Sequence, residues 1–190
     1  EVVVVASERP AIQTAFGLKT EQVHELTPGC ALIIRKDGSY SEEKVREPLE
    51  KRACSFERIY FSRGSDRDVY KERIALGRSV CPAILDAVDH DLDNTVFSFI
   101  PNTAEVACYG MLKEMDEELD RVKERRILEL GPSPDPAKLR AILAVRPRLE
   151  KVAIKDAKLR TFITADDARD DLVAHVYDIT YGSVRPGVDN

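Results

Sequence analysis

Hydrophobic and polar positions follow two different rhythms along this chain, and the change falls near residue 50. The run Val2-Val3-Val4-Val5 is unbroken and β-branched, which predicts a buried strand over residues 1–6. Ser7 is placed to cap a short helix, Pro10 fits its first turn, and Gly17 ends it. Residues 24–27 and 31–34 read as antiparallel strands joined at Pro28-Gly29, and Asp37-Gly38 reads as a hairpin turn returning through Ser39, Tyr40 and Ser41. The charged stretch 44–52, interrupted by Pro48, predicts a boundary between a domain over 1–50 and another over 51–190.

Beyond Cys54 the spacing lengthens. A strand over 56–61 leads into a polar turn, a helix over about 68–77 and a second helix through Val88 with Pro82 in its first turns. An apolar strand follows over 95–100. Asn102 and Glu105 have capping-box spacing, so the next helix is expected to begin at Thr103. Val106, Tyr109, Met111, Met115, Leu119 and Val122 recur at helical intervals and mark a core or helix-pairing stripe, with the charge run 113–126 as its solvated face. The proline-rich stretch 131–136 breaks that helix, and Asp135 caps a short one with Pro136 at its first position. A strand over 151–154 and a final helix over about 166–177, with Leu172, Val173, Val176 and Ile179 facing inward, complete the pattern. Strands alternating with helices after residue 54 predict an α/β fold with a sheet that is parallel in the main, preceded by an α+β N-terminal part.

Composition narrows the classes. The chain has 190 residues, 43% hydrophobic and 33% charged, enough for one domain and part of another. No apolar run approaches the roughly 20 residues that span a bilayer. The net charge of −5 speaks against a nucleic-acid platform. Neither a nucleic acid nor a membrane is therefore expected as a partner. Cys30, Cys54, Cys81 and Cys108 make no CxxC pair, and His24, His90 and His175 stand apart from them and from one another, which favours structural or surface roles. Reduced thiols and a cytoplasmic location are the expectation. The absence of P-loop, GxSxG, HExxH and GxGxxG patterns leaves no self-sufficient catalytic motif. The chain opens at Glu1 without an initiator methionine and stops at Pro-Gly-Val-Asp-Asn, so it reads as an internal piece of a longer protein.

Three places suit a phosphorylated ligand. One is the polar turn 63–67, and the second is Pro101-Asn102-Thr103, where a helix N-terminus presents free N–H groups. The third runs from Lys155 through Thr161, with Lys155, Lys158 and Arg160 beside a hydroxyl, the charge and donors a diphosphate needs. For each, a solvated loop with a helix cap is the alternative.

Several segments, taken in order, resemble the amidophosphoribosyltransferase family. Val5-Ala6-Ser7-Glu8 resembles its VASE, and Glu25-Leu-Thr-Pro-Gly29 followed by Ile33 resembles its L-x-PGE-x-x-x-I segment. Cys54-Ser-Phe-Glu57 with Tyr60-Phe-Ser-Arg63 resembles the C-x-x-E-x-x-YF-[AS]-R linker, and Val69-Tyr70, Arg73 and Gly77 match VY-x-x-R-x-x-x-G. Ile100-Pro101-Asn102-Thr103 is similar to the P-[DE]-[ST] loop, and Lys155 with Arg160-Thr161-Phe162-Ile163 to the KNRY-x-GRTFI flexible loop.

The resemblance implies that residues 1–50 end an Ntn-hydrolase glutaminase domain and that 51–190 begin a type I phosphoribosyltransferase domain. An insertion over about 116–149 has no family counterpart. It implies glutamine and phosphoribosyl pyrophosphate as substrates of the parent enzyme, magnesium as cofactor and a homo-oligomer. Lys155, Arg160, Thr161, Asn102 and Thr103 would bind phosphoribosyl pyrophosphate, while Phe162 and Ile163 would seal an ammonia path. Cys54 is either a structural thiol or one ligand of the iron–sulfur cluster that some members hold.

The departures are specific. Gly64-Ser65-Asp66 stands where the family has RPDS, and 156–159 departs from NRY-x-G. The family's nucleophilic cysteine and its acidic phosphoribosyl pyrophosphate loop lie outside the stretch this chain resembles, so the chain alone is expected to be inactive. A non-catalytic homologue that binds nucleotides or partners through the insertion is the alternative. A glucosamine-phosphate synthase type of amidotransferase would share only the first fifty residues.

Overall fold

The computed structural model describes residues 2–50, 52–155 and 176–180. The fold is a mixed one of helices and small sheets, and the chain divides into two compact units, Glu1–Tyr70 and Lys71–Asn190.

In the first unit, α1 (Arg9–Phe16) begins with Pro10 in its first turn and ends at Gly17, which takes the left-handed conformation at φ 64° that glycine adopts without strain. Ser7 does not cap it: Glu8 occupies that place and makes no side-chain cap bond. The four valines form no strand, and Val2 and Val5 are exposed, because β-branching favours an extended backbone but only a ladder partner makes a strand of it. Strand β1 (Cys30–Ile34) pairs with β2 (Tyr40–Lys44) in antiparallel register, Leu32 opposite Glu42. The expected pairing of 24–27 with 31–34 is therefore not made. The turn between β1 and β2 closes locally, with the Arg35 N–H donating to the Ser39 carbonyl and the Asp37 carboxylate accepting from the Ser39 N–H and hydroxyl. Gly29 instead offers its carbonyl to Val45 and Arg46.

Residues 57–61 also differ from the expected strand. Glu57–Phe61 is a π-helical turn. The ring of Phe56 stacks on Tyr60 at 5.4 Å and meets Phe61 edge-on at 5.2 Å. These are contacts four and five residues along, which a strand cannot make because its side chains alternate between faces.

Helix α2 (Arg67–Ala87) is one helix, not the two expected, and contains Pro82. Val69, Arg73, Gly77, Cys81 and Leu85 are buried at intervals of four, a stripe that runs uninterrupted past the proline. Pro82 lies on the exposed side, where its missing N–H costs a hydrogen bond but no packing.

In the second unit, α3 (Glu105–Glu129) buries Cys108, Met111, Met115 and Leu119 at helical spacing, while Tyr109 is exposed. Cys81, Leu85, Phe97, Cys108, Met111 and Met115 form one core cluster. A Cβ added to Gly77 would overlap the Ala107 carbonyl, and one added to Gly110 would overlap that of Ile74. The two backbones touch at these glycines, and nothing larger fits.

Lys123, expected on the solvated face of α3, is buried. The expected capping box does not form either, because Ala104 is the N-cap and the Glu105 carboxylate accepts from the Tyr109 hydroxyl at 2.9 Å. Helix α4 (Pro136–Ala144) starts as expected, with Asp135 accepting from the Ala137 N–H at 2.8 Å.

Strand β3 (Val96–Phe97) pairs in parallel with β4 (Arg148–Leu149), and β5 (Ala153–Lys155) pairs antiparallel with β6 (Tyr177–Ile179). The described residues thus form two-stranded ribbons, one of each kind in this unit, where a mainly parallel sheet was expected. Tyr177 and Ile179 lie in a strand where a helix was expected, and Ile179 is exposed. The Thr180 N–H donates to the Val152 carbonyl and extends that pairing. Val176 is buried as expected, whereas Leu172 and Val173 lie outside the described residues.

Candidate functional site

A cleft of about 460 Å³ opens within the first unit. Three stretches distant in sequence line it: Ala6 to Pro10, Val23 to Leu26, and Arg58 with Ser62, Arg63, Asp66, Asp68 and Val69. Its chemistry is set by two arginines held on carboxylates.

Arg9 lies in the first turn of α1. Its Nε and Nη2 donate to the two oxygens of Asp66 at 2.7 to 3.0 Å, and Nη2 also reaches Asp68 at 2.8 Å. Asp66 is the residue before α2, and its carboxylate also accepts from the backbone N–H groups of Asp68 and Val69 at 2.9 and 3.2 Å. One carboxylate therefore starts α2 and ties it to α1. The Nε of Arg63 lies 2.9 Å from Glu8, closing the same wall.

The titration of these groups follows. Burial alone would raise the pKa of Asp66, but the bonds from Arg9 and from the Val69 and Asp68 amides outweigh it and hold the carboxyl below its usual range. Hydrogen bonds from Arg9 and then Arg67 depress Asp68 in the same direction. Bonds to Asp68 and Asp66 raise Arg9 above its usual value. Carboxylates so stabilised are poor general bases at neutral pH. The wall is suited to holding shape and presenting charge in fixed positions rather than to moving protons.

The polar turn 63–67, one of the three candidate phosphate places, thus has its charges engaged within the protein: Arg63 with Glu8, Asp66 with Arg9, and Arg67 with Asp68 at 3.2 Å. Asn102 is exposed and Thr103 half-buried in the turn before α3, where the Glu105 N–H donates to the Asn102 carbonyl at 3.3 Å. Lys155 ends β5 opposite Tyr177, with its ammonium 5.2 Å from the centre of that ring, a cation–π distance. Arg63 and Asp66 of the polar turn line the cleft, whereas Asn102, Thr103 and Lys155 belong to the second unit. Arg160, Thr161, Phe162 and Ile163 lie outside the described residues.

Cys54 is an exposed free thiol whose carbonyl accepts from the Arg58 N–H. Among the described residues no group of three or more His, Cys, Asp or Glu side chains is placed to hold a metal ion. His24 is exposed at the cleft and His90 lies 3.2 Å from Asp86, while His175 is outside the described residues.

Sequence reasoning picked out the polar turn that holds Asp66 but missed Arg9 and its pairing with Asp66 and Asp68. The cap was readable, since an aspartate three residues before the apolar Val69 is a helix-start signal. The pairing with Arg9 had no local signal, because 57 residues separate the partners.

Against known proteins, the chain matches no family model and no curated protein matches it. Among the described residues no helix is long and apolar enough to cross a membrane.

Proposed function

We propose that this chain is the central segment of an amidophosphoribosyltransferase-type protein, spanning the end of a glutaminase domain and the first part of a phosphoribosyltransferase domain. One observation carries the reading. Three of the segments on which the resemblance rests, Ala6-Ser7-Glu8, Glu25-Leu26 and Ser62-Arg63, line one cleft although they are far apart in sequence. The further matching positions Val69, Arg73 and Gly77 are consecutive members of the buried stripe of α2. These residues make the framework of the join and leave the chemistry to others.

In the parent reaction, ammonia freed from glutamine attacks the ribose C1 of phosphoribosyl pyrophosphate, and pyrophosphate leaves with the bonding electrons. Asn102, Thr103 and Lys155, with Arg160 and Thr161, are the groups assigned to the diphosphate, where donors and positive charge stabilise the leaving group. Phe162 and Ile163 keep water from the ammonia path. Magnesium would be bound with the substrate's phosphates.

The test is product analysis. The parent protein, given glutamine, phosphoribosyl pyrophosphate and magnesium, is expected to release glutamate and pyrophosphate in equal amounts, and the 190-residue chain alone neither. Turnover by the chain alone would remove the assignment of the catalytic groups to other segments. A parent that binds no phosphoribosyl pyrophosphate would overturn the reading. That result would favour an interaction protein working through residues 116–149, where Leu128 and Leu143 are exposed on α3 and α4.

A further inference from the structure

The second unit holds a groove to which the proposed reaction assigns no role. Its volume is about 160 Å³, and its floor includes Leu85, Leu92, Met115, Leu119 and Val122. Helix α3 supplies one wall, because Met115, Leu119, Val122 and Arg126 recur every three or four residues and so share a face. The chain leaving α2 supplies another. Asp89 and His90 take left-handed φ angles of 51° and 56°, and the turn they make brings Leu92 and Asp93 onto the groove.

Most of the charge at its edge is already engaged. Asp91 accepts from the Asn94 backbone N–H at 3.0 Å and from its side-chain amide at 2.8 Å. Glu118 holds Arg121 at 2.7 Å, and His90 lies 3.2 Å from Asp86. Asp93 and Arg126 also line the groove, and both are exposed. They pair neither with one another nor with any other described residue. Opposite charges that share a small groove and stay apart leave a place for a ligand that carries both. Helix α2 ends at Ala87, two residues past Leu85, and its partial negative end adds to Asp93 in favouring a cation on that side.

We propose that the groove binds a free α-amino acid with an aliphatic side chain, of which leucine is the type. The ammonium meets Asp93, the carboxylate meets Arg126, and the side chain rests on the floor of Leu85, Met115 and Leu119. The volume lies well below the roughly 300 Å³ at which pockets for larger ligands begin, so the occupant is small. An aliphatic side chain within a peptide is flanked by uncharged amides, and one at a chain end brings a single charge. The free amino acid brings both. Glutamine, the amino acid of the proposed parent reaction, is rejected, because its side-chain amide would lose its hydrogen bonds against the apolar floor. The groove therefore stands or falls independently of that reaction.

Titration calorimetry of the purified protein with leucine tests it, beside leucinamide, which keeps only the ammonium, and N-acetylleucine, which keeps only the carboxylate. Leucine is expected to bind saturably and each analogue roughly tenfold more weakly, the effect of losing one charged contact. Alanine should bind about fiftyfold more weakly, since three fewer carbon atoms reach the floor. Asp93→Asn should abolish the preference for leucine over N-acetylleucine, and Arg126→Gln the preference over leucinamide. Both side chains are exposed, so circular dichroism should show an unchanged fold. A folded protein that takes up no leucine at millimolar concentration overturns the proposal. So does leucinamide binding as tightly as leucine, which would fit a peptide N-terminus instead, or glutamine binding as tightly as leucine. Preferences that survive both substitutions also overturn it.

Discussion

Each of the two units is stabilised internally, and by different forces. Of the buried hydrophobic side chains among the described residues, Val69 belongs to the first unit, while Cys81, Leu85, Phe97, Cys108, Met111, Met115, Leu119 and Val176 belong to the second. What the first unit lacks in apolar core it makes up with directed bonds: a carboxylate that caps one helix and grips another, a hairpin closed by its own turn, and rings stacked within one helical turn. An apolar core tolerates any side chain of suitable size and shape. A framework of directed bonds depends on particular atoms.

Removing a core side chain gives the largest expected effect. Met115 is 1% exposed in the second unit's cluster, and Met115→Ala should cost about 3 kcal/mol, the cost of lost transfer energy plus the cavity. Urea titration followed by helical circular dichroism measures it, and a loss under about 1 kcal/mol would show that the cluster is loosely packed. Asp66→Asn is the matching cut in the first unit. The side chain is 10% exposed, and the change weakens both the Arg9 pair and the α2 cap, so a loss of about 2 kcal/mol is expected.

The same carboxylate predicts how the first unit loosens in acid. The folded-state pKa of Asp66 is depressed, so its contribution is fully present above the unfolded-state value of about 3.9 and is lost as pH falls through the folded value. Hydrogen exchange of the α1 amides should therefore rise below about pH 4, and Asp66→Asn should flatten that rise. An unchanged profile would mean that the Arg9 pair does not govern α1.

Pro82→Ala sharpens the comparison from the opposite side. It restores a missing N–H on the exposed face of α2 without touching the core and should stabilise by about 1 kcal/mol in urea titration. The smallest effect is expected at Arg63→Ala. Its bond to Glu8 is made by a side chain that is 58% exposed, and the urea midpoint should not move measurably.

What the sequence disclosed follows the same division. The Met111, Met115 and Leu119 stripe, the Asp135 cap and the Asp37-Gly38 turn were legible, because each depends on neighbours within four residues. The continuity of α2 was not, since Pro82 argues locally for a break and the buried stripe that overrides it is a tertiary effect. Four valines predict a strand, but strand formation depends on a partner that local spacing does not reveal. At the cleft, Glu8 and Arg63 stood out within quoted motifs, whereas the Arg9 clamp joins distant stretches. Lys155 was visible as a cation, but its place over Tyr177 comes from the β5–β6 register.

The clamp between Arg9 and Asp66 also bears on the order of events in folding. It closes a loop of 57 residues, and that closure costs chain entropy before any bond returns it. The α2–α3 core draws on a shorter separation, with Gly77 and Gly110 meeting through a tighter connection. The core should therefore be formed in the transition state and the clamp only after it. In stopped-flow experiments Asp66→Asn should speed unfolding and leave the refolding rate nearly unchanged.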